Sequence, residues 1–399
     1  MLVIQFIIIV IVGIYISLHV LYNLSLILVH FLISRDSSLE FSPATKFIVL
    51  VPAHNEELLI SALLLSIRAQ NYPKNMYEAV VVADNCSDQT ATIAEREGAR
   101  TVERADGKCT GKGYAIKFGL ENIKDEPYDA VLIVDADSIV KADTLTELDK
   151  AIQRGARIMQ CYNGLANPND SWFTRLMDVS RSLGNEVLGP AKEKIGLSAH
   201  LMGNGMCFVR DVIERYGWNA FTVGEDWEYY AKLVSKGERV AFVNSARVYH
   251  RESIDLKQAT TQRLRWSSGR FAVAANQGIR LLCEGIKKSS LMRLDAAAPL
   301  LLPNPSLSVS LTVLLMAVVL VVPFPDHRGL FGWFLGWFGM LLVLQITFYL
   351  VGVMYVKEKK KKLLAIFCAP VFLAWKSVLD LLSIAGIGRK YWVRTERKL

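Results

Sequence analysis

Three long apolar runs stand apart from the rest of the 399-residue chain. Residues 1–34, 296–325 and 329–356 contain no Lys, Arg, Asp or Glu. Each run exceeds the ~20 apolar residues that cross the hydrocarbon core of a bilayer. Residues 35–295, by contrast, mix polar and apolar positions throughout. The pattern therefore predicts a membrane protein that carries one globular domain.

Short runs rich in Val and Ile alternate with helix-like segments in the globular part. The runs lie at 46–52, 78–84 and 129–137, and their length and β-branched content favour strands. Between them, apolar positions recur about every 3.6 residues over 55–70 and 88–122. This alternation predicts an α/β fold with a mostly parallel sheet covered on both faces. Ligands of such sheets bind beyond the carboxyl ends of the strands.

Three aspartates stand at those carboxyl ends. Asp84 closes the second strand, and Asp135 and Asp137 close the third in the sequence VDADS. Strand periodicity places residues two apart on one face, so the last two carboxylates can converge on one point. Such oxygen ligands suit Mg²⁺ or Mn²⁺ that bridges a diphosphate. The alternative is a capping role in turns, which is common for Asp.

Two further segments carry charges at predicted helix starts. GKCTGKGYAI at 107–116 lacks the Walker phosphate-loop spacing, but Lys112 among glycines suits either an anionic nucleotide or a flexible surface loop. Glu225 and Asp226 open an amphipathic helix, where carboxylates either offset the helix dipole or supply a general base. QRLRW at 262–266 is weak evidence when it is considered alone.

The order of these motifs carries a resemblance to a known family. They are PAHNE at 52–56, DNCSD at 84–88, GKG at 111–113, DAD at 135–137, GNG at 203–205, ED at 225–226 and QRLRW at 262–266. The chain resembles the membrane-embedded members of glycosyltransferase family 2, including the cellulose, chitin, hyaluronan and poly-N-acetylglucosamine synthases. The resemblance covers about residues 45–270 and the flanking membrane segments. It implies a GT-A-like nucleotide-sugar domain.

The resemblance implies a binding site for a UDP-sugar donor. Asp84 would contact the uridine, near Pro52, Ala53 and Glu56. Lys112 would help to hold the nucleotide. Asp135 would flank the diphosphate beside Asp137, which is the expected ligand of a Mg²⁺ or Mn²⁺ cofactor.

The resemblance also implies the catalytic and acceptor residues. Asp226, next to Glu225, matches the general base of an inverting transfer. Gln262, Arg265 and Trp266 would lie over the diphosphate and the acceptor. Gly224 stands where the family often has Thr, which leaves the conformation of that turn open.

The distribution of positive charge predicts the orientation in the membrane. Net charge is +8, the first basic residue is Arg35, and the basic run KEKKKK at 357–362 follows the third apolar run. The positive-inside rule places residues 35–295 in the cytosol and the N-terminus outside, which suits an integral protein of the plasma membrane. No basic block on the globular part indicates a nucleic-acid partner. The expected partners are the donor, a glycan or lipid acceptor and membrane lipids, and the oligomeric state stays open.

The six cysteines indicate neither a zinc site nor a disulfide framework, because they form no CxxC pair and have no regular spacing. In a cytosolic domain they are expected to be reduced.

Five segments follow from these patterns. They are a retained membrane anchor at 1–34, a cytosolic glycosyltransferase domain at 35–275, an interfacial amphipathic helix at 276–295, transmembrane or re-entrant helices at 296–388, and a basic cytosolic tail at 389–399. Within the fourth, we expect 363–387 to re-enter or to lie in the interface.

The resemblance favours one function and leaves a second open. The favoured function is metal-dependent, inverting transfer from a UDP-sugar that builds and exports a β-linked polysaccharide. The alternative is a β-glycosyltransferase that adds a single sugar to a lipid acceptor.

Overall fold

The computed structural model describes residues 2–34, 41–321 and 328–388. The predicted basic tail lies outside the described residues. The strands are β1 Phe47–Ala53, β2 Tyr77–Asp84, β3 Arg100–Arg104, β4 Ala130–Ile133, β5 Ser138–Val140, β6 Ile158–Leu165, β7 Met206–Val209 and β8 Val240–His250. The helices are α1 Leu2–Leu32, α2 Ile60–Arg68, α3 Thr90–Arg96, α4 Lys112–Ile123, α5 Thr144–Gln153, α6 Trp172–Ser182, α7 Gly189–Lys194, α8 Arg210–Tyr216, α9 Glu225–Ser235, α10 Leu256–Val273, α11 Ile279–Lys287, α12 Leu291–Leu301, α13 Pro305–Val321, α14 Arg328–Met354, α15 Lys359–Leu364 and α16 Ala369–Ile384.

One eight-stranded sheet organises the globular part, in the order β3-β2-β1-β4-β7-β6-β8-β5. Strands β3, β2, β1 and β4 are mutually parallel, and β6 is parallel to β8. The short strand β7 runs antiparallel to both β4 and β6. The prediction of a mostly parallel α/β sheet is confirmed, and the carboxyl ends of β1, β2 and β4 meet at one edge.

One predicted helical segment is wrong in part. The region 88–122 holds α3, the strand β3 and α4 rather than helix throughout. Residues 100–104 form the edge strand beside β2, where Val80 pairs with Arg100. Edge strands keep polar side chains on their exposed positions, and the sequence RTVER therefore lacks the apolar run of the central strands.

Alternating side chains of the central strands fill two apolar layers. In β1, Ile48 and Leu50 belong to the layer that also contains side chains of α4, α8, α9 and α12, whereas Phe47, Val49 and Val51 belong to the layer with α2, α3 and α5. This is the period-two alternation that a sheet buried on both faces requires. The sheet is thereby held rigid, and the loops at its carboxyl edge are placed relative to one another.

Helices α1, α13 and α14 form a second apolar body through residues such as Ile16, Val319 and Phe338. The segments Ile4–Leu32, Gly329–Met354 and Lys359–Ile384 are long and apolar enough to cross a membrane. Helices α12 and α13 are long and apolar enough to cross a membrane only when they are taken together, and their axes meet at a bend of 60°.

The predicted amphipathic helix at 276–295 is divided in the structure. Residues 274–278 form a π-helical turn, α11 ends at Lys287, and α12 begins at Leu291. The Ser290 side chain caps α12 by accepting a hydrogen bond from the backbone N–H of Arg293. Ile279 and Ile286 of α11 are 64% exposed, so this helix presents an unburied apolar face.

Helix α16 lies along α10, the helix that carries the QRLRW motif. Trp375 Nε1 donates to Thr260 Oγ1 at 3.1 Å, and Lys376 Nζ donates to Ser267 Oγ at 3.0 Å. Farther along, Ser268 Oγ donates to the carbonyl oxygen of Ile387. Contacts thus run from Thr260 to Ser268, and the two helices behave as one packed unit.

Candidate active site

A cavity of about 330 Å³ opens at the carboxyl edge of the sheet. All twelve residues that the sequence analysis singled out line it, although they come from six separate segments. They are Pro52, Ala53, Glu56, Asp84, Lys112, Asp135, Asp137, Glu225, Asp226, Gln262, Arg265 and Trp266. Their separate roles stay predictions, but the structure brings the whole set to one place.

Asp84 lies at the end of β2 and is 5% exposed. Its Oδ1 atom accepts a 2.6 Å hydrogen bond from Arg104 Nη1, and Arg104 also donates to Asp106 at 2.9 Å. Arg104 lies on β3 and contacts the ring of Tyr114 at 5.8 Å. Strand β3, which the sequence analysis did not predict, therefore fixes the Asp84 carboxylate through Arg104. The resemblance assigns this carboxylate to the uridine.

Lys112 opens α4 and reaches across to the third strand end. Its Nζ atom donates a hydrogen bond to Asp135 Oδ1 and another, of 2.6 Å, to the carbonyl oxygen of Gly203. Glu225 Oε1 lies 3.9 Å from the same nitrogen. Burial lowers the pKa of Lys112, but the carboxylates of Asp135 and Glu225 outweigh it, so the net shift is upward. Lys112 is therefore a fixed cation within the cavity.

The GNG loop at 203–205 packs against Lys112, Asp226 and the DAD segment. Gly203 adopts φ = +77°, a conformation that favours glycine, and a Cβ atom there would lie 3.4 Å from Asp226 Oδ2 and 3.6 Å from Lys112 Nζ. Asn204 accepts a 3.1 Å hydrogen bond from the backbone N–H of Asp135 and donates to Ser138 at 3.0 Å. The motif thus sets the position of the DAD segment.

The carboxylates of Asp135 and Asp137 suit a hard divalent cation that also binds a diphosphate. Both line the cavity. No group of three or more His, Cys, Asp or Glu side chains within residues 2–34, 41–321 and 328–388 could enclose a metal ion. A site with few protein ligands is the usual arrangement for Mg²⁺, which keeps coordination positions for water and phosphate oxygens. The two carboxylates therefore fit a Mg²⁺ or Mn²⁺ ion that is also bound by a nucleotide.

Glu225 and Asp226 form a close carboxylate pair at the first turn of α9. The Asp226 side chain accepts a 2.8 Å hydrogen bond from the backbone N–H of Trp227. Burial, reinforced by the adjacent charge of Glu225, raises the pKa of Asp226 to about 7. Burial also raises the pKa of Glu225, although Lys112 and Arg265 oppose that shift. A carboxylate with a pKa near neutrality can accept a proton from an alcohol in the transition state.

We expect activity to fall when the pH drops below about 7. The free enzyme binds a proton at Asp226 as the pH falls through its raised pKa, and the protonated carboxyl cannot act as a base. The value of kcat/KM should therefore decrease about tenfold per pH unit well below 7. Nucleotide binding across the same pH range serves as the control for folding. A flat profile from pH 5.5 to 8 would contradict this assignment.

A close contact between two backbone segments explains why Gly rather than the family's usual Thr stands at position 224. A Cβ atom at Gly224 would lie 3.0 Å from the backbone of Gly269 on α10, and one at Gly269 would lie 2.7 Å from Gly224 N. The start of α9 and the middle of α10 therefore touch backbone to backbone. This close approach brings the carboxylate pair and the QRLRW motif to the same cavity.

Helix α10 contributes Gln262, Arg265 and Trp266 to the cavity wall. Gln262 is 7% exposed, and its Oε1 atom accepts no hydrogen bond from the described residues. The guanidinium of Arg263 lies 4.7 Å from the ring centre of Trp266 and binds Glu252 at 2.5 Å. Arg265 opposes the rise in the pKa of Glu225, which places its positive charge near the Glu225–Asp226 pair.

The sequence analysis assigned no role to several polar or aromatic residues that line the same cavity. Among them are Asn163, Arg181, His200 and His250. His200 stacks on Trp227 with ring centres 5.0 Å apart, and burial lowers the pKa of His200 to about 3. It is therefore a neutral aromatic wall at physiological pH. Strand β6, helix α6 and strand β8 carry Asn163, Arg181 and His250, and the loop before β7 carries His200. None of these elements was predicted.

A family model described as "Glycosyltransferase like family 2" matches residues 43–269, which is more than half of the chain. The chain belongs to glycosyltransferase like family 2. The matched region contains every predicted site residue, from Pro52 to Trp266. The cavity is therefore formed largely by the part of the chain that the family model describes.

Curated relatives show the same relationship. The chain is 24% identical over 252 residues to a probable glycosyltransferase of Sulfolobus acidocaldarius, covering 61% of this chain and 53% of that protein. It is 28% identical over 194 residues to a beta-monoglucosyldiacylglycerol synthase of Trichormus variabilis, covering 46% and 40%. The matched regions span about half or less of the length of these relatives.

A solved structure confirms the GT-A-like fold. It is that of the mannosyltransferase PcManGT from Pyrobaculum calidifontis in complex with GDP-Man and Mn²⁺. The two chains superpose with a TM-score of 0.52 at 19% identity, covering 91% of this chain and 98% of the other. At this level of identity the likeness concerns the fold.

Proposed function

We propose that the protein transfers a sugar from a UDP-sugar to a hydroxyl group of an acceptor held at the membrane, with inversion to a β-glycoside. The observation that carries this proposal is one cavity that joins the carboxyl edge of the sheet, with Asp84, Asp135 and Asp137, to the Glu225–Asp226 pair. The cavity's acceptor wall is α10, which packs directly on the apolar helix α16. Donor and acceptor would therefore approach the same carboxylate from opposite sides.

Asp226 is the proposed base of this reaction. An acceptor hydroxyl attacks the anomeric carbon on the face opposite the departing nucleotide, so one C–O bond forms as the other breaks. The hydroxyl proton passes to the Asp226 carboxylate, whose raised pKa matches the task near neutral pH. A single displacement requires no sugar–enzyme intermediate.

The nucleoside diphosphate gathers negative charge as it leaves. Lys112 is fixed by Asp135 and Gly203, and Arg265 lies in the same cavity, so both cations are oriented before the reaction begins. Preorganised charges of this kind stabilise a transition state more than mobile ones do. A Mg²⁺ or Mn²⁺ ion bound with Asp137 would neutralise part of the diphosphate charge.

The packing behind α10 favours a lipid-held acceptor that receives one sugar. Trp375, Lys376 and Ile387 bond directly to α10, so protein side chains fill the space beyond the cavity wall. Helices α1, α13 and α14 also close on one another through buried aromatic side chains. The name of the Trichormus relative, a beta-monoglucosyldiacylglycerol synthase, agrees with a lipid acceptor.

Polysaccharide synthesis is the second candidate and keeps specific support. The motif order that resembles polymerising synthases includes Trp266, which lines the cavity where a sugar ring of a growing chain would stack. Helix α11 presents Ile279 and Ile286, as expected of a helix at a membrane interface. Extension would require the packing between α10 and α16 to open.

Product size separates the two candidates. We expect purified protein in detergent, given radiolabelled UDP-sugars and host membrane lipids, to form lipids that carry one added sugar at all times. GDP-mannose belongs in the donor panel because PcManGT was solved with GDP-Man. Long products beside unused acceptor at early times would establish the polymerase instead. In that case Trp266→Ala should reduce elongation more than it reduces UDP-sugar hydrolysis.

The proposed orientation places the cavity in the cytosol. Near the end of α1, His30 Nε2 lies 2.9 Å from Tyr355 Oη, and Lys194 Nζ donates to the carbonyl oxygen of His30 at 2.6 Å. Lys362, from the basic run, binds Asp178 on α6 at 2.6 Å. The basic ends of the apolar helices thus adjoin the catalytic domain, which is the arrangement that the positive-inside rule favours. Since α16 contacts α10 along its length, a re-entrant or interfacial position for 363–387 is part of this proposal.

A further inference from the structure

Arg181 is a cation of the cavity with no protein partner. It lies on α6, lines the cavity, and makes no hydrogen bond or ion pair with any described residue. Burial lowers the pKa of Arg181 to about 10, and Glu252 opposes that shift, so the side chain remains charged at neutral pH. Arg181 is half-buried at the cavity wall, so its guanidinium is open to a ligand in the cavity, and arginine forms strong paired hydrogen bonds with carboxylate and phosphate groups.

The surroundings of Arg181 separate it from the donor. The charged groups that act on it most strongly are Glu252 and Arg263, next to the acceptor wall on α10. Glu252 is already bound by Arg263 at 2.5 Å. The residues assigned to the diphosphate, Asp135 and Asp137, lie instead at the end of β4. Arg181 therefore adds positive charge on the acceptor side of the cavity.

A second unpartnered polar group lies in the same region. Gln262 is 7% exposed, lines the cavity, and its Oε1 atom accepts no hydrogen bond from the described residues. A buried amide oxygen without a partner is destabilising unless a ligand or water donates to it. An amide acceptor and an arginine that line one cavity can bind a group bearing both hydroxyls and negative charge.

The fold also places Arg181 one helix away from the membrane-candidate helix α14. Val179 and Leu183 lie directly against Gly352, so this face of the segment touches α14. Residue 181 is two positions from each, or about 200° around a helix of 3.6 residues per turn. Arg181 accordingly points away from α14 and into the cavity.

We propose that Arg181 and Gln262 form an acceptor subsite for a lipid whose headgroup carries phosphate. This inference rests on the proposed function and names the chemical class of its acceptor. The phosphate binds the Arg181 guanidinium, which presents paired N–H donors to such groups. The headgroup hydroxyl then faces Asp226, while Lys112 and Arg265 remain available for the donor diphosphate.

Binding of lipid phosphates tests the subsite without turnover. Protein in detergent, saturated with UDP and Mg²⁺ so that the donor site is filled, is titrated with farnesyl diphosphate, farnesol or inorganic pyrophosphate. We expect farnesyl diphosphate to bind at least about tenfold more tightly than either of the others, as a charge-assisted contact requires. Equal affinity for farnesol would overturn the phosphate assignment. Equal affinity for pyrophosphate would overturn the lipid assignment and leave a site for free phosphate.

Arg181→Met should weaken farnesyl diphosphate binding about tenfold and leave farnesol and UDP binding unchanged. Arg175→Met is the matched control, because Arg175 also lies on α6 but does not line the cavity and donates to the carbonyl oxygen of Asn169. Arg181→Lys should restore part of the affinity. Intact UDP binding shows that a variant is folded, and unchanged farnesyl diphosphate affinity in folded Arg181→Met would refute the subsite.

The charge of the product gives an independent check. Lipids labelled from the radioactive donor should be retained by an anion exchanger, and neutral labelled lipid as the sole product would overturn the inference. Slow hydrolysis of the UDP-sugar by water reports on the donor site alone. If wild type and Arg181→Met hydrolyse the UDP-sugar at the same rate and also transfer the sugar at the same rate, the proposed subsite is refuted and the proposed function is not. Absence of both hydrolysis and transfer with every donor would instead overturn the proposed function.

Discussion

Asp226→Asn is expected to abolish sugar transfer while UDP binding stays within a few-fold of wild type. The amide keeps the size of the side chain and can still accept the hydrogen bond from Trp227, but it cannot take a proton from the acceptor. Loss of a general base costs about 10² to 10⁴ in rate. The measurement is the initial rate of label transfer, with UDP affinity determined by calorimetry on the same preparation.

Glu228→Gln is the matched control for this substitution. Glu228 lies on the same turn of α9 but binds Lys232 at 2.8 Å and does not line the cavity. We expect it to retain most of the activity. If Asp226→Asn kept more than a few per cent of wild-type turnover, Asp226 would lose the role of base, and its partner Glu225 would become the candidate.

Removal of divalent cations is expected to reduce transfer at least about a hundredfold, because the diphosphate charge would then be balanced by Lys112 and Arg265 alone. Asp137→Ala should produce a similar loss and weaken UDP-sugar binding only when Mg²⁺ or Mn²⁺ is present. The measurement is donor affinity and rate across a metal titration, before and after chelation.

Asp143→Ala is the control for Asp137→Ala. Asp143 precedes α5 and binds Asn71, away from the cavity. Its replacement should leave metal dependence unchanged. Full activity after exhaustive chelation would show that the protein's own cations suffice, and it would remove Asp137 from the metal site.

The sequence determined the apolar body of the fold and most of the site. Central strands such as β1 and β2 are buried on both faces, so their short runs of Val and Ile are visible without any structure. Asp84, Asp135 and Asp137 follow strand ends directly, and parallel strands place such residues at one edge. Lys112, Asp226 and Arg265 were found because they belong to motifs whose order is typical of a family.

Tertiary structure alone decided what surrounds those motifs. Arg181 and His200 belong to no local pattern, since they reach the cavity only through the packing of α6 against β6 and of the 198–204 loop against α9. The contact between Gly224 and Gly269 joins two segments 45 positions apart, so its requirement for two small residues has no local signature. Likewise Lys376 and Asp380, which interrupt an apolar run in the sequence, pair with each other beside α10. Periodicity reports which face of one element is buried, but the identity of the partner depends on contacts between distant segments, and those exist only in the folded chain.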